Sequence, residues 1–350
     1  MNNDYNGPAN WLADDMKDPA QWVINLTPAH ISSLEQALRN VQRAGVGFAD
    51  MCKQTFVLSG FDELISEVRE RLENGRGVVV LRGFPALNYT KEQLRLIYWG
   101  LGLYLGTAVS QSSKGDLLGD VMDFGNDFNS ATGRGYMSKQ ELGFHSDTSD
   151  VVALMVLRVA KSGGVSKICS AVAVRNEIAK SRPDLLEVLY QPAYWSWKGQ
   201  EAPGQQTYYQ QPIYSELNGK FAARNIPPHI VTAHQENSEL GPLPPKLLEA
   251  MKLINALANE PRFYFGMLFQ PGDIQLLNNH ITLHSRTEFE DYPAPELKRH
   301  LLRMWLSMPN TRELSPLMSA IYQDQRGGAV RGGFPSRTGG YSFETVAAKD

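Results

Sequence analysis

The sequence has few of the features that mark secreted, membrane or nucleic-acid-binding proteins. Only Cys52 and Cys169 are present in 350 residues, too few for a disulfide framework, so we expect a cytoplasmic protein. No apolar run approaches the roughly 20 residues that span a bilayer, and the N-terminus lacks the basic and then apolar order of a signal peptide. A formal net charge of −3 predicts no nucleic-acid partner, which leaves small molecules as the expected partners.

Internal repeats, low-complexity tracts and flexible linkers are also missing, so we expect one structural domain. The hydrophobic fraction of 42% and the charged fraction of 20% suit a globular protein with a large core. Residues 1–76 are expected to form an N-terminal arm and helices packed on that core. Residues 77–310 are expected to form the main domain with insertions that act as lids, and residues 311–350 a C-terminal tail.

The chain changes character at about residue 105. Before it, helical spacing and capping residues predict helices over 28–45 and 64–75 and from Thr90 onward, and a glycine-bounded run predicts a buried strand over 77–83. After it, strands are predicted over 151–159, 167–174, 221–226, 263–269, 273–277 and 300–308, with helices over 173–180, 183–189 and 244–257. This pattern indicates a mainly β protein with flanking helices, built as a sandwich or barrel.

Two short segments carry residues that point to chemistry. His145 and Asp147 lie two positions apart, so on an extended segment both side chains share a face and can reach one metal ion. The alternative is a surface turn in which Asp147 caps a neighbouring group. Farther along, His280 and His284 lie four apart, which on a helix would be a zinc pair. The β-branched surroundings and the preceding turn argue against that helix.

Together these segments offer imidazoles and one carboxylate, and two imidazoles with a carboxylate are the ligand set of non-haem iron(II) oxygenases. Taken singly, either histidine is more often an ordinary hydrogen-bonded residue than a ligand. The pairing of the two segments is what indicates a metal site with open positions.

A third segment places cations where they need partners. Read with period two, Arg299 and Arg303 share one face of a predicted strand that has apolar neighbours on both faces. Buried arginines are unfavourable unless each meets an anion, and the planar guanidinium suits a carboxylate. The alternatives are a solvated edge strand, or ion pairs with the protein's own carboxylates such as Glu288 or Asp291.

From roughly Val78 to Pro309 the chain resembles the taurine dioxygenase and clavaminate synthase superfamily of iron(II)- and 2-oxoglutarate-dependent oxygenases. His145-Ser146-Asp147 matches the proximal His-x-Asp/Glu motif of that family, and Asn278–His284 resembles its distal Asp-Asn-Arg-x-x-x-His segment. Asn278 stands where the family often has Asp, and the gap between His284 and Arg299 is nearer to that of the clavaminate synthase branch than to that of taurine dioxygenase.

The resemblance implies a double-stranded β-helix, or cupin-like jelly roll, and a metal-binding dioxygenase. His145, Asp147 and His284 would bind Fe(II), leaving His280 outside the ligand set. Ser166 and Arg299 would fix the far end of 2-oxoglutarate, which with O2 is the co-substrate and is converted to succinate and CO2. The oxidoreductase would then act on an unactivated C–H bond, by hydroxylation by default, or by desaturation or cyclisation. Family members are often dimers or tetramers, so a homo-oligomer is also implied.

Candidate substrate contacts are assigned to three polar residues. Arg303 matches a second arginine of the family and suits a small substrate bearing a carboxylate or sulfonate, such as an amino acid or organic acid. Gln111 lies in the polar segment 109–116, and Arg224 follows the aromatic insertion 194–211, either of which is expected to be a lid or an ordinary packed loop. Arg224 has the further alternative of a plain surface arginine.

Two other functions are compatible with parts of this pattern. A zinc- or manganese-dependent hydrolase or isomerase on a cupin-like barrel would use the same two histidines and aspartate, but would not require Ser166 or Arg299. A non-enzymatic sensor would keep the barrel without turnover. A complete set of iron ligands argues against the sensor.

Overall fold

The computed structural model describes residues 4–123 and 139–344. Its helices are α1 Pro28–Ala44, α2 Asp62–Glu73, α3 Lys91–Leu105, α4 Ala171–Ser181, α5 Pro183–Leu189, α6 Pro227–Glu236 and α7 Pro245–Ala258. Its strands are β1 Val23–Asn25, β2 Val78–Arg82, β3 Thr107–Val109, β4 Gly119–Val121, β5 Leu142–His145, β6 Val151–Arg158, β7 Ser162–Gly163, β8 Ser166–Ser170, β9 Ala193–Ser196, β10 Tyr208–Gln211, β11 Tyr214–Leu217, β12 Lys220–Ala223, β13 Tyr264–Met267, β14 Ile274–Asn278, β15 Thr282–Arg286, β16 Phe289–Glu290 and β17 His300–Ser307.

Two main sheets form the body of the molecule. The larger has the order β1-β2-β14-β6-β17-β3, with β4 also paired to β17, and the smaller has the order β13-β8-β15-β5. All of these pairings are antiparallel except β1 with β2. One apolar cluster contains residues of both sheets, such as Val152 and Leu277 from the larger and Ile168 and Leu283 from the smaller. This sheet-on-sheet core confirms the expected mainly β, jelly-roll class with flanking helices.

The larger sheet is buried on both faces, and its two faces serve different purposes. On β17, Leu302 and Met304 belong to a second apolar cluster that contains α1, α2 and α3, whereas Trp305 belongs to the cluster between the sheets. The predicted two-residue alternation is therefore observed, although a bulge between His300 and Leu301 shifts the register where β17 begins. The helices anchor the sheet from outside, which leaves the inner face available for a site.

Local signals located the predicted helices and strands, although several of their ends differ by a few residues and α6 was not predicted. α1 begins after Thr27, whose side chain accepts from the His30 amide, and ends at Gly45 with φ of 65°, a left-handed conformation that favours glycine. The strand predicted over 167–174 is wrong at its end, because β8 stops at Ser170. The Ser170 side chain accepts from the Ala173 amide and caps α4, so 171–174 is helical.

Segments near both ends of the described residues pack on the body. Trp11 and Trp22 of the N-terminal arm are buried, and β1 extends the larger sheet. The C-terminal segment also closes on the core, since the Gly333 amide donates to the Thr148 carbonyl over 2.7 Å and Phe334 is buried. Among the described residues, no helix is both long and apolar enough to cross a bilayer.

Candidate metal centre

Three ligand-type side chains meet between β5 and β15. His145 is the last residue of β5 and pairs in register with His284 of β15, so that their ring centroids lie 4.3 Å apart. Asp147 follows two residues later, and the ligand atoms of all three lie within 4.8 Å of one another. The extended backbone of β5 and the strand pairing bring together the three residues that the sequence suggested as iron ligands.

The carboxylate of Asp147 is held by contacts from β17. The indole Nε1 of Trp305 donates to Oδ2 over 3.0 Å, and Nη1 of Arg303 lies 3.9 Å from the same oxygen. The Asp147 amide donates to Oδ1 of Asn279 over 2.9 Å, which ties the ligand loop to the turn before β15. Burial alone would raise the pKa of Asp147, but Arg303, the two histidines and the Trp305 hydrogen bond outweigh it, so the pKa is lowered and the group is ionised.

Both histidines have a ring nitrogen that could bind a metal ion. Nδ1 of His145 lies 2.8 Å from the Gly143 carbonyl, which assigns the proton to Nδ1 and leaves the lone pair of Nε2 free. Burial, reinforced by the nearby His145, lowers the pKa of His284 to about 3, so this imidazole is neutral. Two imidazoles and a carboxylate with little mutual hydrogen bonding fit a divalent metal ion of the iron class.

His280 belongs to a different contact. Residues 279–281 form the turn between β14 and β15, so the helical zinc pair does not form. Nε2 of His280 lies 2.9 Å from Oδ1 of Asp150, whose pKa is held low despite burial by His280 and by Arg331. His280 is thus committed to a buried ion-pair network.

Arg299 lies just before β17 and is buried beside Phe289, with Cζ 5.1 Å from the ring centroid. Its Nη1 has no hydrogen-bond partner among the described residues. The side chain passes over Gly164, where a β-carbon would lie 3.4 Å from Nε. Burial, followed by repulsion from Arg286, lowers the pKa of Arg299 to about 9, which still leaves a cation at neutral pH. A buried cation with an unused donor fits an incoming carboxylate.

Ser166 and Arg286 face each other across β8 and β15, and only Ser166 was predicted from the sequence. Ser166 begins β8, is buried, and its hydroxyl lies 3.1 Å from Nε2 of Gln275. Arg286 pairs in register with Ser166, and its guanidinium stacks on the ring of Phe289, with Cζ 4.7 Å from the ring centroid. Sequence reasoning missed Arg286, although its position two residues after His284 places both side chains on one face of β15.

Arg303 and Gln111 form a mutual pair. Arg303 Nε donates to Oε1 of Gln111 over 2.6 Å, and Nε2 of Gln111 donates back to the Arg303 carbonyl over 2.9 Å. Because Nη1 of Arg303 also faces Asp147, both predicted substrate contacts lie next to the metal ligands. Arg224 follows β12 and is fully buried, so the alternative of a plain surface arginine is wrong.

Comparison with known proteins agrees with this geometry. The family described as "Taurine catabolism dioxygenase TauD, TfdA family" matches residues 42–305. FR-33289 synthase of Streptomyces rubellomurinus (strain ATCC 31215) is 29% identical over 317 residues, covering 89% of this chain and 93% of that protein. Taurine hydroxylase-like protein SAT17 of Stachybotrys chartarum (strain CBS 109288 / IBT 7711) is 27% identical over 303 residues, covering 84% of this chain and 77% of that protein.

Solved structures share the fold at low identity. Asparagine oxygenase in complex with Fe(II), 3-hydroxyasparagine and succinate superposes with a TM-score of 0.61 at 15% identity, covering 82% of this chain and 93% of that one. The non-haem iron oxygenase OrfP in complex with Fe and alpha-ketoglutaric acid gives a TM-score of 0.61 at 16% identity, covering 81% and 93%.

Proposed function

Because the chain belongs to the TauD/TfdA family of dioxygenases, we propose that it is an Fe(II)- and 2-oxoglutarate-dependent oxygenase of a small anionic metabolite. The proposed reaction is hydroxylation of an unactivated C–H bond, with a carboxylate, amino acid or sulfonate as the substrate class. The observation that carries the proposal is the cluster of His145, Asp147 and His284 donors within 4.8 Å of one another.

The residues divide into two sets by what they would hold. His145, Asp147 and His284 would bind iron, and Arg299 with Ser166 would bind the far carboxylate of 2-oxoglutarate. Iron(II), when bound with 2-oxoglutarate and O2, supplies the oxidation, in which 2-oxoglutarate is converted to succinate and CO2. The unpartnered Nη1 of buried Arg299 supports the second assignment, because a hydrolase would have no use for that cation.

The chain itself supplies the orientation of the candidate ligands. The Trp305 indole fixes which oxygen of Asp147 is available, since it occupies Oδ2 from the β17 side. The carbonyl of Gly143 accepts from Nδ1 of His145 and orients that ring. The charged group of the substrate is proposed to meet Arg303, which Gln111 contacts, or Arg224.

The test is an anaerobic titration of the metal-free protein with Fe(II) and then 2-oxoglutarate, followed by visible absorption. We expect a weak metal-to-ligand charge-transfer band only when both are present, because the co-substrate would bind directly to iron held by His145, Asp147 and His284. Arg299→Gln is expected to weaken 2-oxoglutarate binding about ten-fold or more while iron still binds. Iron binding without the band in the unmodified protein would favour the hydrolase instead.

A further inference from the structure

Arg224 is a fully buried cation beside the Asp147 loop, and no carboxylate of the described residues pairs with it. Its Nη2 donates over 3.3 Å to the hydroxyl of Thr148, the residue after Asp147. Its guanidinium stacks on the indole of Trp195, with Cζ 4.4 Å from the ring centroid. Nε and Nη1 are buried and have no hydrogen-bond partner among the described residues. A polar group close to them is the buried Tyr209 hydroxyl, whose pKa is raised by burial although Arg224 opposes that rise, and it makes no well-formed hydrogen bond there either.

Two other buried arginines show the usual compensation. Arg95 lies 3.0 Å from Asp120, and Arg331 lies 2.9 Å from Asp150, with both carboxylates buried as well. Arg224 forms no ion pair within the described residues, and a cation–π contact offsets only part of the cost of removing a cation from water. Like Arg299, Arg224 is buried without a carboxylate among the described residues, and it lies beside the Asp147 loop, where a ligand from solution would supply the missing anion.

Neighbouring side chains add unused hydrogen-bonding capacity. Gln211 is fully buried, and both polar atoms of its amide lack a partner among the described residues. It shares a face of β10 with Tyr209, whose ring centroid lies 5.7 Å from Cζ of Arg224. The Tyr322 hydroxyl also lacks a partner there. It is close enough to Arg224 for that cation to oppose the rise in the Tyr322 pKa that burial causes.

These groups lie on two hairpins that pair with neither main sheet. Among the described strands, β9 and β10 pair only with each other, and so do β11 and β12. Arg224 follows β12, and Trp195 and Gln211 lie on β9 and β10, so both hairpins border the space around Arg224. Trp195 and Phe221 also belong to the apolar cluster between the sheets, which fixes the hairpins against the core.

Resting on the function proposed above, we propose that Arg224, Gln211 and Tyr322 form the receptor for the oxyanion of the substrate, with the Trp195 indole as its apolar wall. Guanidinium, amide and phenol groups can all donate to one carboxylate, sulfonate or phosphate group. The Thr148 contact links this receptor to the Asp147 loop, so the anchored group has a defined position relative to the metal ligands.

Arg303 then has a separate role, although it is the arginine that the family resemblance points to. Its Nε is occupied by Gln111, and its Nη1 faces the Asp147 carboxylate at 3.9 Å. Arg303 is thus a positioning residue that supports a metal ligand, whereas Arg224 binds the substrate anion and determines specificity.

The experiment titrates the anaerobic protein, saturated with Fe(II) and 2-oxoglutarate, with acetate, methanesulfonate and methyl phosphate. Binding is followed by calorimetry and by the fluorescence of the tryptophans, one of which stacks on Arg224. We expect at least one of the three anions to bind, and which one binds tightest identifies the oxyanion class. Arg224→Gln should weaken that binding about ten-fold or more and leave 2-oxoglutarate affinity unchanged.

Arg299→Gln is the matched control, since it should weaken 2-oxoglutarate binding and keep oxyanion binding. If Arg224→Gln does not fold, Arg224→Lys and Tyr322→Phe replace it. Each should weaken oxyanion binding several-fold, because lysine lacks the planar guanidinium and phenylalanine lacks the hydroxyl donor. The proposal is overturned if no anion binds, if Arg224 variants bind as the unmodified protein does, or if only Arg303→Gln removes binding. Oxyanion binding that depends on Arg224 in a protein without the 2-oxoglutarate band would instead overturn the proposed function alone.

Discussion

Two pairs of histidine and aspartate lie close together in this protein and behave in opposite ways. Asp147 and Asp150 are three residues apart, and their partners His284 and His280 are four apart. Asp150 lies 2.9 Å from both His280 and Arg331 and accepts from the Met308 amide over 3.0 Å. Asp147 lies 4.0 Å from His284, too far for a hydrogen bond.

The comparison separates a structural pair from a candidate ligand set. Asp150 lies within hydrogen-bonding distance of His280, Arg331 and the Met308 amide, so its carboxylate is bound by the protein and this pair stabilises the fold. Around Asp147, Trp305 donates one hydrogen bond, and the candidate ligand atoms of His145 and His284 lie within 4.8 Å. Residues of the same types thus differ in role because the Asp150 carboxylate is bound by protein donors, whereas the Asp147 carboxylate retains capacity for a ligand.

The largest effect is expected when the pair of Asp147 and His284 is broken. His284→Ala removes a ligand, so we expect iron affinity to fall by more than the about 10- to 100-fold that loss of an outer-shell partner costs, and turnover to disappear. The thermal stability of the metal-free protein should change little. Iron binding is measured by anaerobic titration, with His280→Ala as the control that should keep the iron site in the folded fraction.

Breaking the pair of Asp150 and His280 should lower the stability of the fold instead. Asp150→Ala leaves His280 and Arg331 buried without their carboxylate, which we expect to lower the free energy of unfolding by about 3–5 kcal/mol. Urea unfolding of the metal-free protein measures this. A variant as stable as the unmodified protein would show that the Asp150 network is not structural.

A smaller effect is expected from removing the hydrogen bond between Trp305 and Asp147. Trp305→Phe removes the donor to Asp147 and should weaken iron binding about 10- to 100-fold, without abolishing it. Trp22→Phe is the matched control, because that indole donates to the Met16 carbonyl over 3.0 Å away from the site. Equal losses in both variants would trace the effect to packing.

The smallest expected effect is in the pH dependence of stability. Burial lowers the pKa of His280 more than Asp150 raises it, so the unfolded chain binds a proton that the folded protein excludes. Stability should therefore be full above about pH 6.5 and fall as the pH drops below it, by at most about 1.4 kcal/mol per unit for this one proton. Buried His284 and His300 have the same sign of shift.

His280→Gln tests this contribution in urea unfolding at several pH values between 5 and 8. The free energy of unfolding of this variant should depend less steeply on pH, by the contribution of one proton, because His284 and His300 still titrate. An unchanged slope would mean that His280 does not exclude its proton in the folded state.

Much of this site was predictable because its determinants are local. The spacing of His145 and Asp147 and the alternation along β17 follow from an extended backbone, and the capping of α1 depends on Thr27 and the next few residues. The strand predicted beyond Ser170 failed for the same kind of reason, since a serine cap was read as part of a β-branched run.

By itself, then, the sequence located every described α-helix except α6, seven of the seventeen described strands and a short set of candidate ligands. Only the tertiary structure decided that His280 and Arg331 both contact Asp150 and that Arg224 is buried against the Trp195 indole. The two contacts of Asp150 join residues 130 and 181 positions apart. Hydrophobic alternation specifies which face a side chain takes, but not which distant partner meets it there, and that partner decides whether a buried polar group is structural or left for a ligand.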